Sequence, residues 1–309
     1  IAQMGEELDG SPLAIRLTAG RLKELRPNEI LNLLPQHLPL LANTQAQSAR
    51  LDLALSLSWE GLTEAEKNLV QSMAWVPAAL TTNLIHALIP RAQRWSLEQI
   101  RQFIHNLDNR SLLVREGEEA GDEPVRWSLL KSVRRFVKSQ MGDASEIKGI
   151  YTRLSEYLLP QLEPEIEGYR DARRAHVRQL LLHHLDVLVA IGRSNVGENS
   201  MRATLCALPI LRDRGDLSVL RDLLGLDRLV QIKDKELRIR ARIARFTVAL
   251  DSHDHETALR EAEQAFNMID ITADQGPLEW QCQLALGSIY VRLKRYEEAE
   301  SMLQNVLTN

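Results

Sequence analysis

Cysteine is nearly missing from this chain: its 309 residues hold two, Cys206 and Cys282. So few thiols exclude a disulfide framework and point to a reducing compartment. Both lie in apolar helical contexts, where a thiol behaves as a small buried hydrophobe. No apolar run approaches the roughly 20 residues a membrane span needs. No charged segment followed by an apolar one marks a secretory leader. The expected location is therefore the cytoplasm, away from membranes. A surplus of one charge is lacking as well. Lys and Arg number 38 against 42 Asp and Glu, and the resulting −4 gives no global pull toward nucleic acid or an anionic surface. Glycine (15) and proline (11) are few, which leaves long stretches free for helices. The first residue is Ile, not Met, so the natural start is expected upstream.

Catalytic and cofactor motifs are missing too. Gly5 to Gly10 has the glycine spacing of a phosphate-binding loop, but Ser11 and Pro12 follow it, and Glu6, Glu7 and Asp9 would repel phosphate. Gly192 to Gly197 repeats the spacing with Glu198 where lysine should stand. Both are chance matches, and this chain alone is not expected to be an enzyme. His183 and His184 are adjacent on a helix and point about 100° apart, so with Asp186 they make no chelating pair, and no metal is expected.

What is present is helix after helix. Ser11 suits an N-cap, and Pro12 then takes the first helical position, where a missing N–H costs nothing. Pro27 starts a second helix with Ile30, Leu31 and Leu34 on its apolar side, and Pro35 limits it. This makes a helical subdomain over residues 1–48. From residue 49, Leu51, Leu55 and Trp59 give one apolar face. Thr63 with Glu66, and Ser96 with Gln99, read as capping boxes opening further helices, and a third box is expected at residues 143–146. A helix over residues 82–89 lies between the first two. Leu112–Val114 and Val125–Trp127 flank a polar loop and read as one β-hairpin. Helices followed by a two-stranded wing suggest a winged-helix domain over residues 49–142. Four of the five Trp residues fall in it, and some of them are expected in its core.

Residues 143–309 read as helical hairpins. Turns at Gly215–Leu217, His255–Ala258 and Tyr296–Ala299 align, with Ala258 following Leu220 by 38 positions and Ala299 following Ala258 by 41. A recurrence near this period means a solenoid. Leu286, Gly287, Tyr290, Tyr296 and Ala299 resemble the tetratricopeptide (TPR) pattern at its own spacing. The array is expected to continue past Asn309, since no polar cap closes it. The expected fold class is thus mostly α: a helical subdomain, a winged helix, and a TPR-like α-solenoid.

Leu8-Asp9-Gly10-Ser11-Pro12-Leu13-Ala14-Ile15 resembles the Gly-x-Pro segment behind the nucleotide-binding domain of STAND-type (NB-ARC) signalling ATPases. Leu53–Glu66 is similar to the junction into their winged helix, and Leu107–Leu113 with Arg126–Arg134 to their hairpin and following helix. The resemblance implies a sensor and restraining part of a nucleotide-dependent switch. Its ATPase domain, binding ADP or ATP, would be a missing N-terminal partner. Pro12 would lie against the adenine. The repeats would bind a protein or small-ligand effector, and activation would bring oligomerisation. One departure stands out. Plant and animal members carry Met-His-Asp where the hairpin meets its helix, and this chain has Leu129-Leu130-Lys131, so the phosphate-sensing histidine is not carried over.

Two rival readings remain. The first is a winged-helix transcription regulator acting on DNA. It is disfavoured because Glu98, Arg101, Asp108 and Arg110 on the candidate recognition helix sum to zero. The wing loop also carries Glu116, Glu118, Glu119, Asp122 and Glu123, whereas a wing against phosphates should be basic. The second rival is a TPR interaction scaffold without switching. The basic stripes Lys131/Arg134/Arg135/Lys138 and Arg238/Arg242/Arg245 are expected to be solvated or domain-facing surfaces.

Overall fold

In the computed structural model, residues 12–23, 25–30, 46–117, 124–140, 146–166, 169, 173–269 and 276–308 are described. The expected cap at Ser11, the helix beyond Ile30, the wing tip and residues 143–145 of the third box lie outside them. The described residues are mostly helical, and the chain divides into two compact units, Ile1–Leu154 and Ser155–Asn309.

In the first unit Pro12 opens α1 (Pro12–Gly20), which buries Ala14, Leu17 and Thr18. Helix α2 (Ala46–Glu60) packs against it. Then come α3 (Glu64–Ala74), β1 (Leu80–Thr81), α4 (Thr82–Leu88), α5 (Leu97–Asn109), β2 (Leu113–Glu116), β3 (Arg126–Leu129) and α6 (Lys131–Ser139). This is the winged-helix order: three helices, with one strand ahead of the second and a hairpin after the third. Both expected capping boxes formed. Thr63 Oγ1 accepts from the Glu66 N–H while the Glu66 carboxylate accepts from the Thr63 N–H, and Ser96 and Gln99 repeat the exchange.

Two expectations are corrected here. The sheet has three antiparallel strands in the order β1-β3-β2, not a hairpin alone, because Leu80 pairs with Trp127 and Thr81 with Arg126. A two-residue strand is too short to show a period in sequence. The core of this unit is aliphatic: Leu69, Val70, Met73, Ile85, Leu88, Ile100, Ile104 and Leu107 are buried. The four Trp residues sit half-buried at its margin, where Trp59 meets Phe136 edge-on at 6.3 Å and Trp95 meets Phe103 at 5.2 Å.

Helix α7 (Ile147–Ile166) contains the division between the units. In the second unit α8 (Arg174–Arg193) packs on α9 (Glu198–Asp213). Three hairpins then follow: α9 with α10 (Leu217–Leu223), α12 (Lys235–Asp251) with α13 (His255–Asn267), and α14 (Gly276–Arg292) with α15 (Tyr296–Thr308). A short helix α11 (Leu226–Val230) lies between the first two hairpins. The repeat is written in the backbone. Gly215, His253 and Lys294 each take a left-handed φ, of 75°, 58° and 62°. The next N–H after each bonds five residues back: Asp216 to the Leu211 carbonyl at 2.8 Å, Asp254 to Ala249 at 2.9 Å, and Arg295 to Tyr290 at 2.9 Å. This is the Schellman closure of a helix end, and it recurs at the two spacings read from the sequence. Small residues let the paired helices approach. Ala258, Ala262 and Ala299 are buried with Leu286 and Tyr290, and a Cβ on Gly287 would meet Leu303 Cγ at 2.7 Å.

Candidate functional site

Three places bear on function, and the first is the start of α1. Pro12 is its exposed first residue, so the ring expected to face a base is accessible. The far end of α1 is docked tightly. A Cβ on Gly20 would come within 3.1 Å of the Arg110 Cα, and one on Gly61 would strike the guanidinium groups of Arg21 and Arg110. The Gly-x-Pro helix is therefore seated on the C-terminal end of α5 through backbone contact that side chains larger than glycine would block. Lys131, the residue standing near the missing histidine, is exposed at the start of α6.

The second place is the outer face of α5 with the wing. Leu97, Glu98, Arg101, Gln102, His105 and Asp108 are exposed. Arg101 Nη1 donates to Glu98 Oε2 at 3.1 Å, so the exposed cation of this face is matched by an acid one turn away. On the wing, Ser128 Oγ donates to Glu116 Oε1 at 2.9 Å. A face whose charges cancel offers a phosphate backbone little attraction. The basic stripe on α6 is only half a surface. Lys131 and Arg135 are exposed, but Arg134 Nη2 donates to the Val76 carbonyl at 3.2 Å, and Lys138 Nζ lies 4.4 Å from the centre of the Trp75 ring. Burial lowers the pKa of both, and the neighbouring Arg134 charge adds to the effect on Lys138.

The third place lies in the array, and it corrects the expectation of a solvated surface at Arg242 and Arg245, whose side chains are largely buried. Arg238 donates through Nε to the Ile232 carbonyl at 3.1 Å. Arg242 Nη1 and Arg245 Nε each donate to one oxygen of Glu261, at 2.8 and 2.9 Å. Glu261 is 0% exposed, and the two arginine side chains 18% and 15%. Arg242 also reaches Gln264, and Arg245 reaches the carbonyl of Leu224 at the end of α10. A fully buried carboxylate needs such partners. The signal was present in the sequence: Ala258, Glu261, Ala262 and Ala265 share one helical face, so an acid sits amid alanines.

Beside this triad is a recess of about 310 Å³ lined by Arg221, Leu224, Arg245, Val248, Ala249, Ser252, Asp254 and Thr257. Leu224, Val248 and Ala249 give it apolar walls, and the exposed Arg221 and Asp254 give it one charge of each sign. Asp254 caps α13 by accepting from the Thr257 N–H at 3.1 Å. The Thr257 bonds, with help from Arg260 and Arg221, hold its carboxyl below the usual aspartate range. The volume is at the small end of ligand pockets. Cys206 and Cys282 are buried elsewhere in this unit, and burial pushes both thiols up to about 12, so neither is a ready nucleophile.

No protein-family model matches the sequence. Curated relatives are 26% identical over an alignment of 203 residues that covers 56% of this chain. They carry the name "Putative HTH-type transcriptional regulator" and come from Mycobacterium bovis and Mycobacterium tuberculosis. The chain spans about a fifth of their length (21%). A solved structure of a signal transduction ATPase with numerous domains, bearing a tetratricopeptide repeat sensor and from Pyrococcus horikoshii, is similar over 95% of this chain and 52% of its own. Its identity is 16% and its TM-score 0.36, too distant a superposition to bear on either unit. Among the described residues no helix is long and apolar enough to cross a membrane.

Proposed function

We propose that this chain is the restraining and sensing part of a nucleotide-dependent signalling switch of the STAND type. The observation that carries the reading is the seating of the Gly-x-Pro helix. Its C-terminal end is locked on the winged helix at Gly20 and Arg110, while Pro12 at its other end stays exposed. A base stacked on Pro12 would thus be coupled, through one rigid helix, to the winged-helix unit. The winged helix would restrain an ATPase domain carried elsewhere in the protein, and the hairpin array would bind the effector, with the recess at Arg221 and Asp254 as its seat. Such a switch requires an effector that favours one of two packed states. The curated relatives named as regulators support a regulatory role.

The test is ADP binding by the product of the full gene. Retained nucleotide, with at least ~10-fold weaker binding in Pro12→Ala, is the expected result. A product that holds no nucleotide, or a Pro12→Ala protein that binds as the parent does, overturns the reading. The relatives' name favours a second reading, direct DNA binding by the winged helix. The cancelled charge on α5 predicts no gel shift by this chain even at low salt, and a salt-sensitive shift would establish that second reading instead.

A further inference from the structure

The polar groups lining the recess are of two kinds, those already spent within the protein and those left over. Arg245 is spent. Its Nε donates to Glu261 Oε1 at 2.9 Å and its Nη1 to the Leu224 carbonyl. Ser252 Oγ donates to the Val248 carbonyl at 2.7 Å. Thr257 Oγ1 accepts from Arg260 Nη2 at 3.2 Å, and the same side chain bonds the Asp254 carboxylate.

Arg221 is different. It is exposed, and among the described residues its guanidinium makes no hydrogen bond or ion pair; its charge is felt at Asp254 across the recess. Asp254 is exposed as well, and its bonds to Thr257 use two of the roughly four that a carboxylate can accept. Elsewhere in this unit an exposed arginine closes onto its acid, as Arg212 Nη2 does on Asp251 Oδ1 at 2.9 Å. Arg221 and Asp254 do not close onto each other. What the recess has left to offer is one cation and one anion, over apolar walls of Leu224, Val248 and Ala249.

We infer that the recess takes a free α-amino acid with a small aliphatic side chain. The ligand carboxylate accepts from the Arg221 fork, the ammonium donates to Asp254, and the side chain lies on the three apolar residues. This assignment rests on the recess being the effector's seat and gives that effector a chemical class. A sugar fits worse, because it needs several uncommitted polar partners, and Ser252 and Thr257 are bonded within the protein. A phosphate fits worse too, because it would face the Asp254 charge with a single guanidinium to hold it. Arg221 stands on α10 of the first hairpin, and Asp254 caps α13 of the second. A zwitterion bound to both therefore ties two repeats together, which is how an effector favours one packed state.

The experiment is isothermal titration of this chain at neutral pH with L-valine, isovalerate and isobutylamine. The last two are valine without its ammonium and valine without its carboxylate. Valine should bind saturably and raise the Tm. Each half-ligand should bind at least ~10-fold more weakly. Asp254→Asn keeps a good helix cap, and Arg221→Gln alters an exposed side chain, so both variants should fold as the parent does. Asp254→Asn should reduce valine binding to the level of isovalerate and leave isovalerate unchanged. Arg221→Gln should reduce it to the level of isobutylamine and leave isobutylamine unchanged. Absence of saturable valine binding overturns the assignment, and so does undiminished valine binding in both variants. A half-ligand that binds as tightly as valine also overturns it, while keeping the recess as a seat for another class. None of these readouts involves a nucleotide, so ADP retention by the product of the full gene stands or falls separately.

Discussion

The two units hold themselves together in different ways. In the winged-helix unit, side chains from distant positions reach single backbone carbonyls or single partners. Tyr151 Oη donates to the Trp75 carbonyl, Arg153 Nε to Leu88 at 2.7 Å, Arg134 to Val76, and Asn106 Nδ2 to Glu66 Oε1 at 3.0 Å. None of these bonds recurs. In the hairpin unit the same devices return: a left-handed turn and a Schellman bond at all three hairpins, and alanines or glycine between the paired helices of the last two. Its buried triad at Glu261 is the exception to that regularity. An aperiodic fold is specified by individual long-range bonds, each costly to lose. A periodic one spreads its specification over equivalent positions and is most sensitive where it breaks its own rule.

The largest break in this contrast should come from the triad. Glu261→Ala leaves two largely buried guanidinium groups uncompensated and should cost about 3–5 kcal/mol in urea unfolding of the second unit. Trp280, the one Trp of that unit, can follow the transition. Replacing Arg242, Arg245 and Glu261 together with leucine should restore most of that loss.

Next is Gly287→Ala, where the added methyl meets Leu303 and should cost about 1–3 kcal/mol. Adding Leu303→Ala should cancel part of the effect in a double-mutant cycle. In the aperiodic unit, Tyr151→Phe orphans the Trp75 carbonyl and should cost about 1 kcal/mol. Burial raises the Tyr151 phenol above its usual 10.0, against the opposing charge of Arg134. A raised folded-state pKa means the contribution is complete below pH 10.0 and is lost as the pH climbs through the folded value. Stability measured between pH 8 and 11 should therefore decline at the alkaline end in the parent, and less in Tyr151→Phe. The smallest effect tests the shared turn. His253→Gly and Lys294→Gly should each stabilise by about 0.5–1 kcal/mol, and Gly215→Ala should destabilise by about 1 kcal/mol, read as opposite shifts in Tm.

Much of the fold was legible because its signals are local. Thr63 with Glu66 and Ser96 with Gln99 close within one helical turn. Leu286, Gly287, Tyr290 and Ala299 carry the hairpin contact within 13 residues of each other. The wing was readable from two strands and a polar loop. The candidate site was less legible. Arg242 and Arg245 read as part of a surface stripe because, with Arg238, they recur every three or four residues along one helix, and the acid that takes the two inward is on the next. Arg221 and Asp254 belong to different hairpins and meet only once the array has stacked.

By itself, then, the sequence determined where helices start, where they turn, and how often the turn returns, because caps, left-handed residues and apolar periods act over a few neighbours. Tertiary structure alone decided which arginines are drawn inward to Glu261, that Leu80 and Thr81 join the wing as a third strand, and that Trp280, Leu284 and Val291 stand exposed on α14. The alanines around Glu261 mark a buried face, but which partners reach it depends on what another element brings there.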